Sequence, residues 1–193
     1  MARTVLLIDC CVHGEQSRTL KLARRYLDTL EDVQVNHQKL YELDLAPLSC
    51  QETVERKRTD IAKTFAQADE IVVAAPYWDL SFPSILKVYL EHVCVTGITF
   101  HYVGYETQGL CKAKKAVYIS TAGGFVGAHH LGEEYIQTVF QAMFSIPEFH
   151  TIRCEGLDLP DADPGALVAE AALWAAQGGA GGETGWCGTL GDF

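Results

Sequence analysis

Apolar residues along this chain follow two rhythms. Thr4-Val5-Leu6-Leu7-Ile8 is a continuous apolar run, the pattern of a strand buried on both faces. After a polar loop over 9–16, Leu20, Leu22-Ala23, Tyr26-Leu27 and Leu30 recur at helical spacing, with Ser17 placed to cap the helix. Val33-Gln34-Val35-Asn36-His37 alternates and reads as a more exposed strand. A long loop is expected over 40–51, then a helix over 52–68 with Ile61, Phe65 and Ala68 on one face. Residues 70–75 form a third strand and 84–94 a third helix. The stretch 97–109, with Phe100, Tyr102 and Tyr105, reads as irregular. A fourth strand over 115–120, a helix within 132–145 and a fifth strand over 148–154 follow. Pro164 fits the first turn of an alanine-rich helix over 164–177, and residues 178–193 are glycine-rich, expected to form a poorly ordered tail.

Five strands alternating with five helices predict a doubly wound α/β domain over residues 1–177, followed by the tail. There is no internal repeat and no linker before residue 178. Right-handed crossovers and the strand order 2-1-3-4-5 are the default. The alternative dinucleotide-binding order fits less well, because Gly-x-Gly-x-x-Gly is missing after the first strand.

Composition narrows the partners. The chain has 193 residues, 48% hydrophobic and 21% charged, with a net charge of −10. So acidic a chain argues against non-specific nucleic-acid binding, though backbone N–H groups can still hold a phosphate locally. The apolar runs are strand-sized, so no transmembrane helix is expected, and Met1-Ala2-Arg3-Thr4 leads directly into a strand, so no secretory signal is expected. Seven scattered cysteines include no Cys-x-x-Cys pair, which argues against a zinc ribbon or a thioredoxin-type site and fits a reducing cytoplasm.

The predicted order brings three loops to one rim, at the carboxyl ends of the strands, where open α/β sheets bind ligands. The first ends in Gln16-Ser17-Arg18-Thr19 at a helix N-terminus, where free N–H groups, the helix dipole and two hydroxyls can hold a phosphate. The third is Ala75-Pro76-Tyr77-Trp78-Asp79-Leu80, aromatic enough to platform a flat ring. The fourth, Ser120-Thr121-Ala122-Gly123-Gly124, lets backbone approach a ring without a Cβ in the way. Each loop alone has an ordinary explanation; together they suit a flavin mononucleotide. A phosphatase cradle would need Cys-x₅-Arg, but Cys11 and Arg18 are one residue too far apart and Cys10 and Arg18 two. Cys10-Cys11 as a redox pair and His129-His130 with Glu133 as metal ligands are weaker readings than packing and surface placement.

These motifs resemble the FMN-dependent NADH-azoreductase family of flavodoxin-like NAD(P)H:quinone oxidoreductases. The resemblance is best over 75–124. Ala75-Pro76-Tyr77-Trp78-Asp79-Leu80 echoes the family's Ala-Pro-Met-Tyr-Asn-Phe loop. Gly97-Ile98-Thr99-Phe100-His101-Tyr102 resembles Gly-Val-Thr-Phe-x-Tyr, and Ser120-Thr121-Ala122-Gly123-Gly124 resembles Thr-Ser-Arg-Gly-Gly. The resemblance implies an FMN cofactor, NADH or NADPH as co-substrate and a quinone or azo acceptor. It also implies ping-pong hydride transfer without a protein nucleophile and a homodimer with flavin sites at its interface. Cys10, Gln16, Ser17 and Thr19 would surround the phosphate. Pro76, Tyr77, Trp78, Asp79 and Leu80 would contact the ring, and Thr121, Gly123 and Gly124 its pyrimidine side. Phe100 and Tyr102 would wall the substrate. Three departures stand out: Cys10 or Cys11 where the family has serine, Asp79 in place of asparagine, and Ala122 in place of arginine. A non-enzymatic flavodoxin-like electron carrier, or a flavin redox sensor using Cys10-Cys11, is the alternative reading.

Overall fold

The apolar runs become the centre of one parallel sheet. In the computed structural model, which describes residues 2–53 and 59–176, β1 (Arg3–Asp9), β3 (Glu70–Ala74) and β6 (Lys115–Thr121) are buried along nearly their whole length. The flanking β2 (Val33–Lys39) and β7 (Glu148–Cys154) keep polar, partly exposed residues, as edge strands do. The order is β2-β1-β3-β6-β7, with all four pairings parallel. Counting only these five strands, this is the expected order 2-1-3-4-5.

Side chains alternate across the sheet and build two cores. Leu6, Ile8, Ile71 and Val73 face Phe65 of α2 (Thr59–Gln67), Tyr89 of α3 (Ser84–Val93) and Phe140 of α4 (Leu131–Ala142). Val5, Leu7, Val72 and Ala74 face Leu20, Ala23 and Tyr26 of α1 (Arg18–Leu27) and Ala171 of α5 (Pro164–Ala176). Ser17 caps α1, its Oγ accepting the Leu20 N–H at 3.3 Å. Asp163 Oδ1 accepts the N–H groups of Gly165 and Ala166 at the start of α5, with Pro164 in the position where a missing N–H costs nothing.

The largest difference from expectation lies at 97–109. This stretch is a β-hairpin, with β4 (Phe100–Val103) antiparallel to β5 (Glu106–Gly109) and Val103 opposite Glu106. Gly104, at φ +65°, holds the first central position of the connection, where a hairpin turn needs a residue tolerant of positive φ. The hairpin's base is anchored by Thr99, fully buried, whose hydroxyl donates to the Val93 carbonyl at 2.6 Å. Gly109 lies so close to the Phe144 backbone that a Cβ there would sit 2.0 Å from its carbonyl carbon. The expected helix over 52–68 is also shorter as described. Glu52 and Thr53 lie in a turn, with Ser49 Oγ donating to Glu52 at 2.6 Å, and α2 spans Thr59–Gln67. The expected loop over 40–51 opens with a helical turn, Leu40–Glu42, seated by fully buried Leu40. The glycine-rich stretch 178–193 lies outside the described residues.

Candidate functional site

The first loop leaves β1 at Asp9, a buried carboxylate. Its Oδ1 accepts the Cys11 N–H at 2.9 Å and its Oδ2 stands 2.9 Å from His37 Nε2. This clamp fixes the turn, and strand alternation then sends the two cysteines to opposite sides. Cys10 is fully buried in the core beneath the sheet, packed with Leu6, Ile8 and Tyr89. Cys10 therefore does not line the cleft described below, whereas Cys11 does. Burial first, with its hydrogen bond to Ser17 opposing and Asp9 adding, pushes the Cys11 thiol up to about 12. Burial, with Cys11 and Asp9 nearby, raises Cys10 as well. Beyond a turn at Gly14, φ +50°, the chain enters α1. The first turn of that helix carries Arg18 and no carboxylate, and its leading N–H groups have no acceptor within the helix.

The third loop closes on itself. Trp78 N–H donates to the Ser81 carbonyl at 3.0 Å and Ser81 N–H to the Trp78 carbonyl at 2.8 Å. Asp79 and Leu80, the two residues between, sit at φ +50° and +64°. That is the backbone of a type I′ turn built without glycine, and for leucine the conformation is strained. Its consequence is directional. Pro76, Tyr77 and Trp78 line the cleft described below, whereas Asp79 and Leu80 stand exposed at the tip. Tyr77 N–H donates to the Thr121 carbonyl at 3.0 Å and its hydroxyl to the His129 carbonyl at 3.1 Å, tying this loop to the fourth.

The fourth loop is paired with the loop after β7. Leu157 N–H donates to Ala122, Asp158 N–H to Gly123 and Gly156 N–H to Gly124, at 3.2, 2.8 and 3.1 Å. A Cβ on Gly123 would lie 2.2 Å from Asp158 Oδ2, whereas one on Gly124 would meet open space. Thr19 and Thr121 join the first and fourth loops through a buried 2.7 Å bond between their hydroxyls. Thr19, 1% exposed, thus works as a strut rather than a free hydroxyl. Across the mouth, Arg18 Nη2 meets Asp158 Oδ1 at 2.7 Å.

Together these loops enclose a cleft of about 560 Å³, in the size range of small-molecule sites. Of the residues singled out in the sequence, Gln16, Ser17, Thr19, Pro76, Tyr77, Trp78, Thr121 and Gly123 line it. Asp79, Leu80 and Gly124 do not, and Phe100 and Tyr102 lie away on the hairpin, the first buried and the second 62% exposed. Sequence reasoning missed Val12, His13, Leu157 and Asp158. The last two were findable from topology alone, since the loop after the fifth sheet strand opens on the same rim.

A family model described as flavodoxin-like fold matches residues 3–177. A Clostridium perfringens protein named FMN-dependent NADH:quinone oxidoreductase is 35% identical over 173 residues, covering 80% of this chain and 87% of that protein. A Clostridium acetobutylicum protein named FMN-dependent NADH:quinone oxidoreductase 2 is 45% identical over 107 residues, and there the match spans only about half of each chain, 53%. Among solved structures, an FMN-dependent NADH-azoreductase from Bacillus anthracis in complex with FMN superposes with a TM-score of 0.77 at 17% identity, covering 92% of this chain and 97% of that one. The NAD(P)H:quinone oxidoreductase of Methanothermobacter marburgensis gives 0.71 at 16%, covering 95% and 100%. This chain belongs to the flavodoxin-like fold family, in the branch that holds the FMN-dependent NADH:quinone oxidoreductases.

Proposed function

We propose that the cleft holds FMN and that the protein is an FMN-dependent NADH:quinone oxidoreductase, with azo compounds as further acceptors. The observation that carries this reading is the cleft itself: an anion-ready helix end on one side, and an aromatic turn facing Gly123 on the other. The N-terminus of α1, with the Ser17 hydroxyl, Gln16 and Arg18, suits a phosphate. Tyr77 and Trp78 on one side, with Ala122 and Gly123 on the other, suit a flat ring. Gly123 fits because a side chain there would collide with Asp158 and fill the cleft. Bound there, the flavin would supply hydride chemistry between a nicotinamide and a quinone. The protein's own contribution is orientation: the Thr19–Thr121 strut and the Tyr77–Thr121 bond lock the loops before ligand arrives. Reductant and acceptor would use the same face in turn, so parallel lines in double-reciprocal kinetics are expected.

The redox-sensor alternative loses its basis. Cys10 and Cys11 face different cores, and burial keeps both thiols un-ionised, which is the inert rather than the reactive state. Tyr102, Val103 and Tyr105 stand 62%, 58% and 106% exposed on the hairpin. Such an apolar projection supports a homodimer in which the hairpin covers the partner's cleft, returning Tyr102 to the substrate wall. No helix of the described residues is long and apolar enough to cross a membrane, and Cys10, Cys11 and Cys111 are buried thiols. The thiols support a reducing compartment such as the cytoplasm. Titration of purified protein with FMN should quench flavin fluorescence, and the loaded protein should oxidise NADH when a quinone is added. Unquenched flavin would overturn the reading; binding without quinone-dependent NADH oxidation would leave an electron carrier.

A further inference from the structure

Behind the cleft wall lies a second, smaller pocket with a void of about 20 Å³, room for about one water molecule. Tyr77, Thr121 and Ala122 line both the void and the cleft, so only a single layer of chain separates them. Four ionisable side chains, those of His130, Glu133, Arg153 and Glu155, reach its lining among apolar surface. Arg153, opposite Ser120 in the β6–β7 register, points into it, and Glu133 enters from the first turn of α4. Both side chains are 12% exposed, and Arg153 Nε stands 3.6 Å from Glu133 Oε2, an ion pair too long for a hydrogen bond. Arg153 Nη1 lies 2.6 and 2.9 Å from the two ring nitrogens of His130. An arginine only donates, so the nitrogen it engages presents a lone pair. Glu155 spends one carboxylate oxygen on the Val126 N–H at 2.9 Å. Burial raises the Tyr118 phenol, so it stays neutral.

Glu133 Oε2 and Arg153 Nε are buried and lack a hydrogen-bond partner among the described residues. Structural charge clusters are normally saturated. This one is left partly unsatisfied, next to the cleft, with opposite charges side by side.

We propose that Arg153 and Glu133 are positioning residues that set the electrostatic potential of the cleft from behind its wall. Arg153 favours negative charge gathering on a reduced flavin, and Glu133 opposes it. The inference rests on the FMN reading above. Largely buried charges are screened less than exposed ones, so neutralising one uncovers the other.

The test measures the affinities of oxidised and of chemically reduced FMN, without oxygen, for the wild type, Glu133→Gln and Arg153→Met. The ratio of the two affinities reports the flavin's potential. Glu133→Gln should move it roughly tenfold toward the reduced form and Arg153→Met roughly tenfold away, each about 30 mV for a two-electron couple. Shifts of the same sign in both variants, or none beyond about twofold, would overturn the proposal, because loosened packing alone has no reason to act with opposite signs. If Arg153→Met does not fold, the near-isosteric Glu133→Gln decides on the same criterion. A wild type that binds neither form of FMN would overturn the cofactor reading, and this inference with it.

Discussion

The two ends of the central sheet treat polar groups in opposite ways. At the amino end, Glu70 is buried between β1 and β6. Tyr26 donates its hydroxyl to Glu70 Oε1 at 2.8 Å and accepts from Lys115 Nζ at 2.8 Å. Lys115 Nζ also stands 3.3 Å from Oε1, and Arg3 Nη1 3.5 Å from Oε2. Every strong group there has a partner within the chain, and burial with the Glu70 charge beside it pushes the Tyr26 phenol up. At the carboxyl end, by contrast, the leading N–H groups of α1 open toward the cleft, the third loop holds a non-glycine turn in a strained conformation, and the void behind Thr121 leaves polar atoms unpaired. Saturation marks the end that holds the fold; unfilled hydrogen-bonding capacity marks the end that meets ligand.

If the comparison is right, substitutions at the two ends separate stability from binding. The largest effect is expected at Glu70→Ala. Lys115 and Arg3 are partly exposed and can rehydrate, so the loss should fall at or below the low end of the buried-pair range, about 2–3 kcal/mol. Chemical denaturation should show it, while FMN affinity of the folded variant stays within about twofold of wild type. Gly123→Val should do the reverse. Its side chain displaces Asp158 and narrows the cleft, so FMN binding weakens by roughly tenfold or more, near 1.4 kcal/mol. Asp158 is exposed and its bond to Arg18 is a surface ion pair worth little, so the denaturation midpoint should hardly move. A large stability loss in that variant would mean the rim carries the fold after all.

How much of this was readable beforehand follows from which forces decide each feature. The five sheet strands and their order were legible because burial on both faces writes unbroken apolar runs, as in Val5 to Ile8, and because crossover handedness leaves few alternatives. The hairpin was not, since four-residue strands around Gly104 give too short an alternation to separate from loop. In the cleft, Tyr77, Trp78 and Gly123 could be placed because they follow strand ends closely, and Gln16 and Ser17 because they lead into a capped helix. Asp79 and Leu80 could not, because nothing in Trp78-Asp79-Leu80-Ser81 announces a turn that requires positive φ at both central residues. Cys10 faces the core and Cys11 the cleft for a one-residue reason: side chains of an extended chain alternate, and the Asp9 clamp fixes the phase.

Two rim residues test where the boundary between the ends runs. Ser17 belongs to both sides of the comparison, since its Oγ caps α1 and its hydroxyl faces the cleft. Ser17→Ala should cost about 1 kcal/mol of stability as a lost cap, together with a several-fold loss in FMN affinity. Two separate readouts, a urea midpoint and a flavin titration, should both move.

Cys11 gives the smallest effect at neutral pH and the sharpest sign. It lines the cleft, yet its thiol, 6% exposed, behaves as a core group with its pKa pushed up to about 12 by burial. In the unfolded chain the same thiol ionises near ~8.5. Because the folded value is the higher one, the stabilising difference is fully present below the unfolded pKa and is lost as pH rises through the folded one. Cys11→Ala should therefore differ little from wild type at pH 7.5. Between about pH 9 and 12 the wild type should lose more stability than the variant. Cys10 and Cys111 are raised by burial too, and their alkaline losses are common to both chains, so the difference isolates Cys11. Equal alkaline losses in the two proteins, or rapid alkylation of Cys11 at pH 8, would mean that this cysteine belongs to the open rim and not to the core.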